Sequence, residues 1–296
     1  MLTVPAKTIL QKNKTSDWFG NEYNMNLYRG CCHGCIYCDS RSECYQIQSF
    51  DTVRVKENAL QLLRDELRRK VRSGVIGTGS MSDPYNPFEK TEMITRHSLE
   101  LINAYNFGVT VITKSDLITR DIDVYKSIAE HSPVLCKMTV TAADDKLCKM
   151  IEPNVSVSSK RFEALEKISR AGLKTGITLM PVLPFIEDNE ENIESIVRMA
   201  HQCGVNYIYP AFGMTLRQNQ REYYFNKLDK LFPGLSEKYK KYYGNSYNCV
   251  SPNAKRLWAV FTNECDKYGI LYNMKDIISD YKRGYGDMQL SFFDDL

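Results

Sequence analysis

The sequence predicts an α/β protein, a partial (β/α)6 TIM-type barrel with a helical C-terminal extension. Three observations carry this. From Tyr23 to about Phe212, short β-rich runs alternate with amphipathic stretches, the pattern of repeated βα units around a parallel sheet. Six units can be counted, short of the eight of a full barrel, so an open barrel is expected, with its active site at the carboxyl ends of the strands. Beyond Phe212 the alternation stops and the chain turns helical, tyrosine-rich and basic.

In chain order, strands are predicted near 24–28, 75–79, 109–113, 134–141, 175–180 and 207–211. The first intervening helix is marked by Leu60, Leu63, Leu67 and Val71 on one face, with Asn58 as N-cap and Gln61 placed to answer it. Later helices are predicted over 97–105, 122–130, 161–171 and 190–203. No internal repeat or low-complexity linker interrupts the chain. The expected division is 1–214 for the barrel, 215–286 for the helical extension and 287–296 for a flexible tail.

In the extension Arg217, Arg221, Tyr223, Tyr224, Phe225, Lys227, Lys230 and the run Lys238 to Tyr243 interleave cations with rings, and Pro233-Gly234 separates two helices. A helical cap with buried rings and solvated lysines explains this pattern. So does a nucleic-acid surface, where cations hold phosphates and rings stack on exposed bases. The two readings are compatible on opposite faces.

A chain of 296 residues, 43% hydrophobic and 25% charged, suits one large domain with an appendage, and a net charge of +3 excludes a wholesale polyanion-binding coat. Any nucleic-acid surface must be local. The start, Met1 to Lys14, has no apolar signal region and no membrane-length apolar run occurs, so no membrane partner and a cytoplasmic location are expected. Of ten cysteines, four crowd into eight residues; Cys44, Cys136, Cys148, Cys203, Cys249 and Cys265 are scattered singly, as reduced cysteines usually are.

The crowded four lie in Gly30-Cys31-Cys32-His33-Gly34-Cys35-Ile36-Tyr37-Cys38-Asp39, on the loop after the first predicted strand of the barrel. A C-x3-C-x2-C run of Cys31, Cys35 and Cys38 can hold three corners of a [4Fe-4S] cluster and leave one iron open to a substrate or cofactor. Cys32 offers a C-x2-C-x2-C alternative with Cys35 and Cys38. A structural zinc site is the rival, with Cys32, His33 or Cys44 as fourth ligand, although three thiols on one short loop depart from the usual two separated ligand pairs.

With Tyr37 just before the third cysteine and six βα units, the chain resembles the radical SAM enzymes. That resemblance implies a [4Fe-4S] cluster whose open iron is chelated by S-adenosylmethionine (SAM), an external electron donor, and cleavage of SAM to a 5′-deoxyadenosyl radical that takes hydrogen from substrate. From about Tyr23 to Arg283 the chain is similar to the spore photoproduct lyase-like branch, often labelled DNA repair photolyases. The likeness rests on the segment from Gly77 to Lys90, on Val111-Ile112-Thr113-Lys114 and on Glu152-Pro153. It implies that Tyr37 lies beside the adenine, Ser82 contacts the SAM amino group, Lys114 its carboxylate, and Thr139 and Thr141 the ribose hydroxyls. As isolated residues, Ser82 reads as a turn and Lys114 as a surface cation.

Ser80, counted with the cofactor contacts, stands where the lyase has the cysteine that returns hydrogen to the product radical. An alcohol O–H is too strong a bond for that task, and the lyase's tyrosine relay has no counterpart around Phe50 to Val55. Cys136 and Cys249 are candidate substitutes, though lone cysteines of this kind usually pack in cores. The expected activity is therefore radical initiation, lyase-like and directed at DNA or a related nucleic acid. The alternatives are a radical SAM enzyme for a peptide or small metabolite, and a non-catalytic iron-sulfur or zinc protein. Finally, Gln289-Leu290-Ser291-Phe292-Phe293, between Asp287 and Asp294-Asp295, is similar to the tail motif with which bacterial DNA-processing proteins dock on the sliding clamp. Packing of the tail on its own barrel would explain the same residues.

Overall fold

A computed structural model describes residues 1–70 and 72–285. Val71 of the predicted first helix face and the tail motif from Gln289 to Phe293 lie outside the described residues. The strands are β1 (Leu2–Val4), β2 (Leu10–Lys12), β3 (Tyr23–Met25), β4 (Tyr28–Arg29), β5 (Arg54–Lys56), β6 (Val75–Thr78), β7 (Gly108–Thr113), β8 (Val134–Thr139), β9 (Lys174–Leu179), β10 (Tyr207–Pro210), β11 (Gly213–Thr215) and β12 (Asn248–Val250). Seven of them form one sheet in the order β10-β9-β8-β7-β6-β3-β2. β3 and β6 to β10 run parallel and correspond to the six predicted strands, while β2 adds an antiparallel edge. The sheet does not close on itself among the described residues: β10 and β2 end it.

The helices are α1 (Ala59–Arg68), α2 (Glu89–Glu92), α3 (Ile94–Ala104), α4 (Ile122–Ala129), α5 (Asp145–Ile151), α6 (Ser158–Arg170), α7 (Glu190–Gln202), α8 (Gln220–Leu231), α9 (Leu235–Tyr243), α10 (Ala254–Tyr268) and α11 (Met274–Tyr281). Alternation along the strands divides the sheet into two unlike faces. Tyr23, Met25, Ile76, Val109, Val111, Cys136, Met138, Ile177, Leu179 and Ile208 join the helices' apolar side chains in the main core. The other face presents Asn24, Gly77, Thr110, Ile112, Lys137, Thr139, Gly176 and Thr178, a set of small and polar residues with one isoleucine that prepares a site rather than a core.

Asn58 does not cap α1 through its side chain. It adopts a left-handed backbone (φ 53°, ψ 28°) in place of the extended conformation an N-cap requires, and Gln61 Nε2 donates to Asp65 instead. Two small sheets, β1-β5-β4 and β11-β12, escape the sequence reading because each strand has only two or three residues. The second makes the C-terminal region more than helical, tying Gly213–Thr215 antiparallel to Asn248–Val250. Within that region α8 and α9 pack beneath the cysteine loop, with Tyr224, Leu228 and Tyr239 in one core with Cys35, Ile36 and Tyr37. α11 covers the polar face near its β10 edge, where Ile277 and Tyr281 meet Phe19, Leu135 and Tyr207.

The polar face carries one unusual residue. Lys137 is buried, its Nζ has no hydrogen-bond partner among the described residues, and the amine lies 4.1 Å from the centre of the Phe19 ring. Burial lowers its pKa from 10.5 to about 7. The unfolded chain keeps the amine protonated up to the ordinary lysine range while the folded chain binds the proton weakly, so this residue opposes folding most below pH 7 and less as pH rises. Lys137→Met should therefore raise stability by on the order of 2–4 kcal/mol at pH 6, with the gain shrinking toward pH 10.5. Thermal melts of both proteins across that range check the slope; a gain independent of pH would show that packing, not charge, is responsible.

Candidate active site

The cysteine loop leaves the sheet just beyond β4. Gly30 (φ 82°) makes the turn, and a Cβ there would sit 2.4 Å from the Thr52 carbonyl, so only glycine fits. Cys31 N then donates to Phe50 O at 2.8 Å, which seats the loop against the segment leading to β5. Cys31, Cys35 and Cys38 line a single cavity of about 120 Å3 together with His33, Ser40, Ser80, Ser82, Asp83, Lys114 and Thr139. Cys32 does not line it; it is half-buried and its carbonyl accepts from Asn154 Nδ2. Cys44 is exposed beside Ser42 and Arg217.

Among the described residues no three His, Cys, Asp or Glu side chains are arranged as a site for one metal ion. Three thiols that line one cavity without converging on a single point suit a cluster better, because each then holds a different iron. Burial pushes all three thiols up, Cys31 to about 12, while Lys114 acts in the opposite sense at Cys35 and Cys38. Loading the cluster must therefore expel protons from the loop.

Beneath the loop lies a buried polar network. The Tyr37 hydroxyl donates to Glu152, as does the buried Arg161 guanidinium, whose other nitrogens donate to the carbonyls of Ser156 and Thr139, each at 2.7 Å. Burial opposes the Glu152 charge, but Arg161, Lys114 and the Tyr37 hydrogen bond outweigh it and hold the carboxyl below its usual range. Tyr37 is thus committed by its hydroxyl to Glu152 and does not line the cysteine cavity.

On the opposite wall, Gly79 (φ 98°) turns the chain after β6, where a Cβ would come within 2.0 Å of Ile112 O. The segment it releases brings in Ser80, Ser82 and Asp83. Asp83 accepts from Thr113 Oγ1 (2.6 Å), Tyr85 N (2.9 Å) and Lys114 N (2.8 Å), and pairs with His33 at 3.6 Å. Ser82 is buried and donates to Tyr28 O at 3.0 Å; Ser80 is exposed and donates to Asn24 Oδ1 at 3.3 Å. The Lys114 ammonium has no ion-pair partner within 4.0 Å among the described residues and rests 5.8 Å from the Tyr37 ring centre. Burial works against its charge, but Cys35, Glu152 and Asp83 hold it above the ordinary lysine range. It is a cation available to a ligand carboxylate.

Thr139 lines the cavity and shares a 2.9 Å hydrogen bond with Thr178, whereas Thr141 is buried outside it. Thr141 Oγ1 and Glu187 Oε1 are both buried and make no close hydrogen bond among the described residues; burial pushes the Glu187 carboxyl up to about 8, with the neighbouring Thr141 hydroxyl acting in the opposite sense. Glu187, Arg161 and Asp83 were not singled out in the sequence. Asp83-Pro84 is a turn signal that points to the last; Arg161 near the start of α6 and Glu187 in the loop before α7 carry no comparable sign.

The sequence profile of the Radical SAM superfamily matches residues 25–200. An uncharacterized protein of Mycobacterium tuberculosis is 28% identical over 247 residues, covering 81% of this chain and 72% of the relative. An uncharacterized protein of Methanocaldococcus jannaschii is 34% identical over 174 residues, covering 58% of this chain and 64% of that protein. Among solved structures, a spore photoproduct lyase variant with bound AdoMet and dinucleoside spore photoproduct superposes with a TM-score of 0.65 at 17% identity, covering 90% of this chain and 79% of that one.

Two outcomes follow for the site. Cys31→Ala should abolish the four-iron absorption of anaerobically reconstituted protein, while Cys32→Ala should retain it; the reverse would assign the other cysteine register. On cluster-loaded protein, Lys114→Gln should weaken SAM binding more than tenfold, equivalent to roughly 1.5–3 kcal/mol for a charge-assisted contact. An unchanged dissociation constant would remove Lys114 from the site.

Proposed function

Because this chain belongs to the radical SAM superfamily, whose enzymes use a [4Fe-4S] cluster and SAM, we propose that it is a radical initiator whose open sheet is a partial TIM-type barrel and whose substrate is DNA or a related nucleic acid. The observation that carries the chemistry is one cavity at the carboxyl end of the strands that joins Cys31, Cys35 and Cys38 to Lys114. When bound there, cluster and SAM supply a 5′-deoxyadenosyl radical able to abstract hydrogen. The protein's residues bind and orient: the three thiols would hold the cluster, Lys114 the SAM carboxylate, Ser82 its amino group and Thr139 a ribose hydroxyl. Arg161 and Glu152 keep the loop in register with the sheet. Burial of Cys35, Ile36 and Tyr37 under α8 and α9 limits water at the back of the cluster.

A nucleic-acid substrate is supported by stacked cations beside the site. Arg41 lies 4.0 Å from the Tyr223 ring centre and 4.8 Å from Phe50, and Arg217 lies 5.3 Å from Tyr247 and 5.7 Å from Tyr45. Arg41 is largely buried and already paired with Asp51, so the phosphate contact on this surface falls to Arg217, which would exchange its 3.0 Å pairing with Asp39 for a phosphate beside the exposed Tyr247 ring. The buried Tyr224 and Tyr239, hydroxyls 3.0 Å apart, face inward, so the extension caps on one side and presents charge on the other. The tail from Gln289 to Phe293 would bring the enzyme to a sliding clamp, and an external donor would reduce the cluster.

The reaction departs from that of the lyase. Ser80 holds an alcohol where a hydrogen-donating thiol would be needed, and neither substitute is at hand. Cys136 packs on the helix-covered face and Cys249 is buried under the extension. Reduced holoenzyme should release 5′-deoxyadenosine from SAM, yet leave spore photoproduct essentially unrepaired over multiple turnovers. It should bind single-stranded DNA with a salt-dependent affinity, and Arg217→Ala should reduce the slope of log K against log salt by about one phosphate contact. Salt-independent binding, or none, would favour a peptide or small-metabolite substrate.

A further inference from the structure

A second cavity, of about 320 Å3, adjoins the first. It lies between the N-terminal segment 13–24 and the polar face of β6 and β7, and it shares Ser80 and Ile112 with the cysteine cavity. Its size falls in the range of about 300–1,000 Å3 typical of small-ligand sites. A carbon radical reacts only with an atom it touches, so the reacting group of a substrate must occupy space continuous with the SAM site. Across Ser80 and Ile112, this cavity is such a space.

Its lining is specific in character. Among the described residues no carboxylate lines it; the walls are amides and hydroxyls together with Gly77 and Ile112, with Trp18 (40% exposed) and the exposed Lys14 at the rim. Asn21 is held rigidly: Thr110 Oγ1 donates to its Oδ1 at 2.7 Å, Asn13 Nδ2 donates to its carbonyl at 2.8 Å, and a Cβ at Gly77 would come within 2.3 Å of its Nδ2. Asn24 is oriented by Ser80, whose hydroxyl donates to its Oδ1. Both Nδ2 groups are left without an acceptor among the described residues, and both residues line the cavity. The site thus offers amide donors in its depth, an indole ring at its mouth and one cation outside.

Resting on the nucleic-acid reading above, we propose that this cavity receives one unpaired nucleobase of a single strand. Its carbonyl edge meets Asn21 and Asn24, its ring packs against Trp18, and its phosphate lies near Lys14. Asn24 and Ser80 then couple base recognition to the side of the cavity where the radical arises. Hydrogen bonds to base edges with one stacked ring form the usual mode for reading a base out of its helix.

The test uses the full chain and fluorescein-labelled single-stranded oligonucleotides, one of thymidines and one carrying abasic sites at the same backbone length, followed by anisotropy. Wild type should bind the thymidine strand about tenfold more tightly than the abasic one, the scale of one stacked base. Trp18→Ala should erase most of that difference while leaving abasic binding unchanged. Trp18 also packs edge-on against Phe19 and Tyr209, so its circular dichroism is compared with wild type. Asn24→Ala, at a half-buried position, provides a second variant and should lower the discrimination several-fold. Binding that depends on Arg217 but is indifferent to the base, to Trp18 and to Asn24 would overturn this assignment and leave the nucleic-acid reading standing. No binding of either strand would overturn both.

Discussion

The site depends on a buried ion pair. Glu152 and Arg161 lie beneath the cysteine loop, and both would be costly to bury alone, since an unpaired charge in a low-dielectric interior loses its solvation without recompense. Together they are satisfied at every face the structure shows. Glu152 accepts from Tyr37 on the loop, and Arg161 donates to Thr139 at the end of β8 and to Ser156 ahead of its own helix. A loop rich in glycine and cysteine has little rigidity of its own. This pair converts it into an extension of the sheet, and the three thiols inherit their placement from strands and helices rather than from the loop's own torsions.

Asp83 does the same work on the opposite wall with two backbone donors and one hydroxyl. By accepting from Thr113, Tyr85 and the Lys114 amide, it locks the end of β7 to the segment that follows β6. The Lys114 ammonium is thereby delivered to the cavity while three anionic or acidic neighbours keep it charged. A charged lysine without a close partner is a poor stabiliser of the apo fold and a good receptor for a carboxylate. The same logic explains Lys137, where no anion compensates and the amine is driven toward neutrality. Lys114, just past β7, and Lys137, within β8, thus hold their protons with different strength, because one has acidic groups nearby and the other an aromatic ring.

Much of this was legible in the sequence. The six parallel strands and the principal helices between them announce themselves by period, because each strand packs helices on one face and each helix buries one stripe. The cysteine spacing is local and therefore readable. What could not be read is whatever depends on contacts distant in sequence. Asn58 has an N-cap's identity, but the backbone entering α1 is left-handed. Thr139 and Thr141 look equivalent by strand alternation, yet β8 ends between them and only Thr139 lines the cavity. Tyr37 reads from the chain as a residue beside a ligand, and nothing local announces that its hydroxyl also donates to a carboxylate 115 positions away. The edge strand β2 and the polar wall formed by residues 13–24 have no periodic signature, so the second cavity was invisible from the chain alone.

That wall also explains why Ser80 deserves a different role from the one its position suggests. In a thiol-dependent repair reaction the residue here would have to face substrate with a weak S–H bond. In this chain it presents an exposed hydroxyl to Asn24 and lines both cavities at once. An O–H group cannot readily return a hydrogen atom, but it can orient an amide and fill the boundary between cofactor and substrate without reacting with a nearby carbon radical. Inertness at that boundary is an advantage if the substrate radical is meant to rearrange, or to be quenched by a partner outside the protein. On the proposed reading, a hydroxyl at this boundary separates two tasks, starting a radical and returning a hydrogen atom to it, because its O–H suits positioning Asn24 and not the second task.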